Sequence, residues 1–154
     1  MQPTHQSLGE FPVVIPFQLH WGDQDALGHV NNTVYLRWSE TARIEYLTRI
    51  GIWPLSAIEK IGPILAHISC NFLYPLTYPD TAYVGARVTA IGNRSFKMAH
   101  KIVSASHGVV AADLESTLVL FDYNTSKPVP VPTPMRNAIG KLEGREFAPV
   151  SSSG

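Results

Sequence analysis

The stretch that decides the fold is residues 20–43, HWGDQDALGHVNNTVYLRWSETAR. It leaves an alternating strand, crosses a short polar loop and enters a helix. The loop gathers Asp23, Asp25, His29, Asn31 and Asn32 within ten residues. Upstream, Val13, Ile15, Phe17, Leu19 and Trp21 hold odd positions while Gln18 and His20 hold even ones, so 13–21 reads as a half-buried strand. Pro12 and Pro16 place it at an edge or a bulge. Downstream, a helix is predicted from Thr33 to Ile50. Asn31 or Asn32 serves as N-cap, Arg49 lies in the last turn, Gly51 stands just past the end and Pro54 follows. Val34, Trp38, Ala42, Tyr46 and Ile50 form an i,i+4 row with Leu36, Ile44 and Leu47 off it, which predicts a helix covered on more than one side. Arg37, Glu40 and Arg43 stand three apart and are expected to pair with one another.

Beyond the helix, a short helical turn is predicted around Leu55–Lys60, closed by Gly62-Pro63. Period two then returns. Ile64 to Tyr74 alternates and ends at Pro75 and the Tyr78-Pro79-Asp80 turn. Ala82 to Ala90, Phe96 to Ile102 and Val110 to Phe121 read as three further strands, joined by Gly92-Asn93-Arg94 and Ser106-His107-Gly108. Prolines follow at 128, 130, 132 and 134, then a short helix over Arg136–Leu142. Residues 1–10 read as a loose arm and the terminal SSSG as frayed. The expected class is α+β: one strand, one long helix, then four strands, with short turns that require antiparallel neighbours. One helix covers one face of a five-stranded sheet, so the other face is expected to pack on a second subunit.

Bulk properties bound the function. The length of 154 residues fits a single domain over 1–154, with a core at about 12–140. Charged residues make up only 16% and sum to zero, which argues against a nucleic-acid or anionic-membrane partner. Cys70 is the only cysteine, so no intrachain disulfide forms. No stretch reads as a membrane span and the start MQPTHQSLGE lacks a signal-peptide pattern, so the expected location is cytoplasmic.

The polar loop is the candidate site. A helix start offers unpaired N–H groups, and a carboxylate beside them offers a base or nucleophile, an arrangement suited to acyl transfer. Each residue also has a plain structural reading. Asp25 is a carboxylate for catalysis or a turn former, and Asp23 a helper or an exposed turn residue. Gly28 permits a tight turn. His29 positions Asp25 or simply bonds backbone. Asn31 and Asn32 are caps or substrate ligands, and Tyr35 lines a pocket or packs. Amides near Asn32 and Thr33 are the candidate donors. His20, Asp23, Asp25 and His29 match no strong metal-ligand spacing, so no metal is expected. His67, Ser69 and Asn71 share a strand face, either a plain polar surface or a wall lent to a partner. Trp21, Trp38 and Trp53 are expected in the core or at an interface. There is no G-x-S-x-G, and Cys70 alternates among apolar strand residues, so serine or cysteine nucleophiles find no support.

The run Asp25-Ala26-Leu27-Gly28-His29-Val30-Asn31-Asn32, with Tyr35 after it, resembles the loop and helix start of the 4-hydroxybenzoyl-CoA thioesterase-like acyl-CoA thioesterases. Pro75 with Asp80, Ser95 after a Gly-containing hairpin, and Asp122, Thr125, Lys127-Pro128 and Pro132 extend the likeness over about residues 12–140. The resemblance implies the hotdog fold, an antiparallel sheet wrapped round one long helix. It also implies an acyl-CoA substrate, a homodimer or homotetramer, and Asp25 as the catalytic carboxylate, acting as nucleophile or general base. Coenzyme A enters only as part of the substrate, with no separate cofactor. Arg94, Ser95 and Lys97, with Lys101 and Arg136, are the candidates to meet its phosphates; the plain alternative is solvated charge. A helix Glu catalyst, as in other hotdog thioesterases, would be Glu40, for which the pairing with Arg37 and Arg43 is the favoured role. The competing functions are a non-catalytic acyl-thioester sensor and a hotdog dehydratase or hydratase, whose acid/base pair the Asp25 motif matches poorly.

Overall fold

A computed structural model describes residues 5–147. Strand β1 (Val13–Gln18) leads to the long helix α1 (Asn32–Arg49). Strands β2 (Ile61–Phe72), β3 (Thr81–Ile91), β4 (Ser95–Ser104) and β5 (Val109–Asp122) follow, then a two-residue strand β6 (Lys127–Pro128) and helix α2 (Thr133–Glu143). The strands form one antiparallel sheet in the order β1-β3-β4-β5-β2, with β6 paired to the end of β5. As the prolines predict, β1 is an edge strand. The other edge is β2.

Period two explains the layering. Val84, Ala86 and Val88 on β3, Phe96, Met98 and Ile102 on β4, and Leu114, Leu118 and Leu120 on β5 all point to one buried face. The α1 stripe Tyr35, Trp38, Ala42 and Tyr46 lies against that face, packing chiefly over β3 and β1. Register shifts at Leu65/His67, Val88/Ala90 and Ile102/Val103 mark bulges, which bend strands and raise local twist, so the sheet curls round the helix. Trp38 stacks on Phe17 with ring centroids 5.8 Å apart, tying α1 to β1.

Several expectations need correction. The first strand stops at Gln18 rather than Trp21: Leu19 gives its N–H to the Asp80 carbonyl and His20 gives its own to the Asp23 carboxylate, so the chain turns. Trp21 is consequently 69% exposed, outside any core of this chain, and Trp53 is 42% exposed. Residues 55–60 form no helix but a bend, in which the Ser56 hydroxyl accepts the N–H groups of Ile58 and Glu59. The C-terminal helix begins three residues earlier than read, at Thr133, with Pro134 in its first turn. Residues 5–10 are not a loose arm: Gln6–Leu8 makes a 3-10 turn, and Leu8 and Phe11 cover part of the outer sheet face beside Val103. Phe11 lies where a Cβ on residue 85 would stand, and Gly85 allows that approach. Finally, Glu40 makes no ion pair among the described residues; Arg43 turns inward and is buried, while Arg37 stays exposed.

Candidate active site

The loop between β1 and α1 is tied at its base. Gln24 and Val30 form an isolated antiparallel bridge. Asn31 gives its N–H to the Asp23 carbonyl at 2.9 Å, and Val30 gives its own to the Leu76 carbonyl at 2.9 Å. The Gln24 side chain accepts the Tyr78 N–H at 3.0 Å, a tether to the β2–β3 connection that no motif announced. At the tip, the Asp25 N–H reaches the His29 carbonyl at 2.8 Å and the Gly28 N–H reaches the Asp25 carbonyl at 3.0 Å. Gly28 sits at φ 82°, a left-handed conformation that suits glycine.

Asp25 is the turn former that one of its two readings expects. Its Oδ1 accepts the Leu27 N–H at 2.9 Å, which shapes the turn. Its Oδ2 has no protein partner among the described residues, and the side chain is exposed. The N-cap is Asn31, not Asn32: its Oδ1 accepts both the Thr33 N–H at 3.0 Å and the Thr33 hydroxyl at 3.1 Å. The Thr33 amide is therefore engaged, and the donor pair expected at 32 and 33 reduces to one. Among the described residues no partner takes the Asn32 N–H.

Asp25, His29, Val30, Asn32 and Tyr35 line one side of a cleft of about 490 Å³, and Phe72, Leu73, Tyr74 and Pro75 line the other. The apolar wall from the end of β2 was not singled out in the sequence, although Phe72 and Leu73, both at least half exposed, are the signal that it needs a ligand or partner. Tyr35 is a fixed part of this wall. Its hydroxyl accepts the Leu76 N–H at 3.2 Å and faces the Tyr74 carbonyl, its ring meets Phe72 edge-on at 5.2 Å, and burial pushes its phenol up. His29 lines the cleft, exposed.

The chain does not bring Arg94, Ser95 and Lys97 to this cleft. The loop meets the Thr81 end of β3, whereas these residues lie at or beyond its other end, roughly 30 Å along the strand. Arg136 is also committed elsewhere, donating to the carbonyls of Val131 and Gly92. Ser69 and Asn71 face outward opposite Glu115 and Asp113, with the Asn71 amide donating to Asp113 at 2.9 Å, so they form a polar sheet surface. Among the described residues no three His, Cys, Asp or Glu side chains assemble into a metal-binding group, and no helix is long and apolar enough to cross a membrane.

A family model described as the thioesterase-like superfamily matches residues 19–139, which include the whole loop, α1 and the sheet from β2 onward. The chain belongs to the thioesterase-like superfamily. Its architecture is the hotdog fold, α+β, and membership makes it a thioester hydrolase by class. A thioesterase from Thermus thermophilus, solved with coenzyme A and Zn, superposes with a TM-score of 0.80 at 33% identity, covering 90% of this chain and 99% of that one. The BH1999 gentisyl-coenzyme A thioesterase superposes with a TM-score of 0.71 at 27% identity, over 82% of this chain and 98% of that one. The long-chain acyl-CoA thioesterase FadM of Escherichia coli K12 is 24% identical over 118 residues, 77% of this chain and 89% of FadM.

Proposed function

We propose that the protein hydrolyses acyl-CoA thioesters, with Asp25 as the reacting carboxylate and the Asn32 N–H as the donor for the carbonyl oxygen. The observation that carries this reading is the pairing of a free carboxylate oxygen with a free helix-start amide in one cleft. As the carbonyl is attacked, negative charge grows on its oxygen. A fixed N–H at the positive end of α1 stabilises that charge more than it stabilises the ground state. Asp25 Oδ2 either adds to the carbonyl carbon or draws the proton from the water that adds. In both routes the C–S bond breaks, and water supplies a hydroxyl to the acyl carbon and its remaining proton to the departing thiolate, giving the free acid and coenzyme A as its thiol. The reaction so drawn asks for no separate cofactor.

The relatives support the acyl-CoA substrate: one is solved with coenzyme A, and others are named for gentisyl and long-chain acyl groups. We place the site at the interface of a homodimer or a tetramer built from it. The edge strand β2 carries the half-open apolar side chains Leu65 and Phe72, and the cleft beside it is open to solvent. A second chain would close it and carry Arg94, Ser95 and Lys97 to the coenzyme A phosphates that one chain cannot reach. The lone thiol Cys70, pushed up to about 11 mainly by burial, is consistent with a reducing, cytoplasmic setting.

Thiol release from short, long and aromatic acyl-CoAs tests the reading. The wild type is expected to turn over at least one class, and Asp25→Asn to lose about 10²- to 10⁴-fold in rate while still binding product. An Asp25→Asn variant with undiminished turnover sinks the assignment. Tight acyl-CoA binding without thiol release from any substrate would establish a sensor instead.

A further inference from the structure

Asp25 and Asn32 stand on different pieces of backbone, and something must fix the space between them. Asn32 opens α1, which is packed against the sheet. Asp25 lies near the tip of the loop, on a short ladder of its own. The rungs are the Gln24–Val30 bridge, the Asn31 N–H to the Asp23 carbonyl and the Asp25 N–H to the His29 carbonyl. These bonds hold the two limbs of the loop to each other. They do not hold the loop to the β2–β3 connection, which begins with the facing wall of the cleft.

Among the described residues two hydrogen bonds do that, one from each limb. On the outgoing limb, Val30 gives its N–H to the Leu76 carbonyl at 2.9 Å. Leu76 is itself locked: it is 1% exposed, and its N–H meets the Tyr35 hydroxyl at 3.2 Å. On the incoming limb, Gln24 Oε1 accepts the Tyr78 N–H at 3.0 Å, across 54 residues of sequence. Gln24 immediately precedes Asp25. A ladder held by one bond pivots on it. The second bond, farther along the same connection, removes that rotation. The Gln24 bond is poorly suited to hold the fold itself. Tyr78 is 50% exposed, so water serves its N–H once the glutamine is gone, and the fold loses little.

We propose that Gln24 is a positioning residue, whose side chain holds the Asp25 limb so that the carboxylate and the Asn32 N–H address one carbonyl group. Gln24 acts through Asp25 and does not itself touch the reacting atoms. Attack on a carbonyl needs the reacting atoms about 3–3.5 Å apart and aligned, and a shift of about 1 Å costs on the order of 10²-fold. Loss of the tether therefore falls on turnover, while the walls that bind the acyl-CoA stay in place. This inference rests on the reading of Asp25 as the reacting carboxylate.

The test follows kcat and KM of Gln24→Leu and Gln24→Glu, alone and combined with Asp25→Asn, on the acyl-CoA that the wild type turns over fastest. Urea unfolding gives the folded fraction of each variant, and kcat is referred to it. Gln24→Leu, close in size but without an acceptor, is expected to lose about tenfold in kcat with KM changed less than about twofold. Gln24→Glu keeps an acceptor of the same reach and is expected to restore most of kcat at neutral pH. In the Asp25→Asn background, Gln24→Leu is expected to change the residual rate less than about twofold, because the group that it positions is gone. Gln24→Met repeats the comparison should the leucine variant fail to fold. An unchanged kcat in Gln24→Leu overturns the proposal. So does a loss confined to KM, a loss that Gln24→Glu leaves unrestored, or an equal loss in the Asp25→Asn background. Slow turnover in Asp25→Asn beside unchanged kcat in Gln24→Leu ends this inference alone. Full turnover in Asp25→Asn ends the reading of Asp25 and this inference with it.

Discussion

At the scale of the residue, two side chains carry testable chemistry of different kinds. Asp25 divides its oxygens between a turn and the cleft. Asp25→Asn keeps an oxygen for the Leu27 N–H and removes the negative charge, so circular dichroism should be unchanged while turnover falls. Asp25→Ala should lose both, with a lowered melting temperature. His100 tests the core. Its folded-state value near 3 lies below the ordinary 6.5, so the unfolded chain binds the proton that the folded chain refuses. The contribution is fully present above pH 6.5 and drains away as pH falls toward 3, at roughly 1.4 kcal/mol per pH unit from this group. Urea unfolding at stepped pH should show that slope, and His100→Gln should flatten it. The place of Asp25 at the cleft was legible in the sequence because a local motif surrounds it. The buried polar side chains Arg43, His100 and Ser116 were not: they meet only through the register of β4 and β5 and the roll of α1. Spacing on one helix suggested an ion pair with Glu40 instead.

At the scale of the element, two joints hold α1. The first is its cap. Asn31→Ala should cost about 1 kcal/mol in denaturant unfolding. It should also slow turnover, because the freed Thr33 amide competes with the Asn32 amide in orienting the carbonyl. The second is Glu143 at the end of α2. Its Oε2 accepts the Tyr46 hydroxyl at 2.5 Å and the Val88 N–H at 2.8 Å, next to the β3 bulge. Glu143→Ala strands two buried donors and should cost about 2–4 kcal/mol, with Glu143→Gln recovering most of it. The elements were legible wherever one face is wet and one dry, as in β3 to β5, since burial then writes a period of two. They were illegible where side chains, not periodicity, bind the backbone. Asp23 ends the first strand three residues early in this way.

At the scale of the whole molecule, the sheet has two unlike edges. β1 is short and carries Pro16, which blunts it. Among the described residues, β2 runs twelve residues without a partner on its outer side. Light scattering should report at least two chains per particle, and dilution to monomer should abolish turnover. A fully active monomer would contradict a shared site. The expectation of an oligomer came from counting faces, one helix against a two-sided sheet. The covering of part of the outer face by Leu8 and Phe11 was missed, because the sequence reading assigned no structure to that arm.

The Asp25 loop fastens to itself and to the end of β1 and the β2–β3 connection, through the Gln24–Val30 bridge, the Asp25–His29 bond and the Tyr78 tether. Inheritance can therefore hold the loop's shape fixed while the walls of the cleft vary. Drift in those walls would alter the shape of the cleft without loosening the loop. A shared scaffold can then yield relatives named for a gentisyl group and for a long chain.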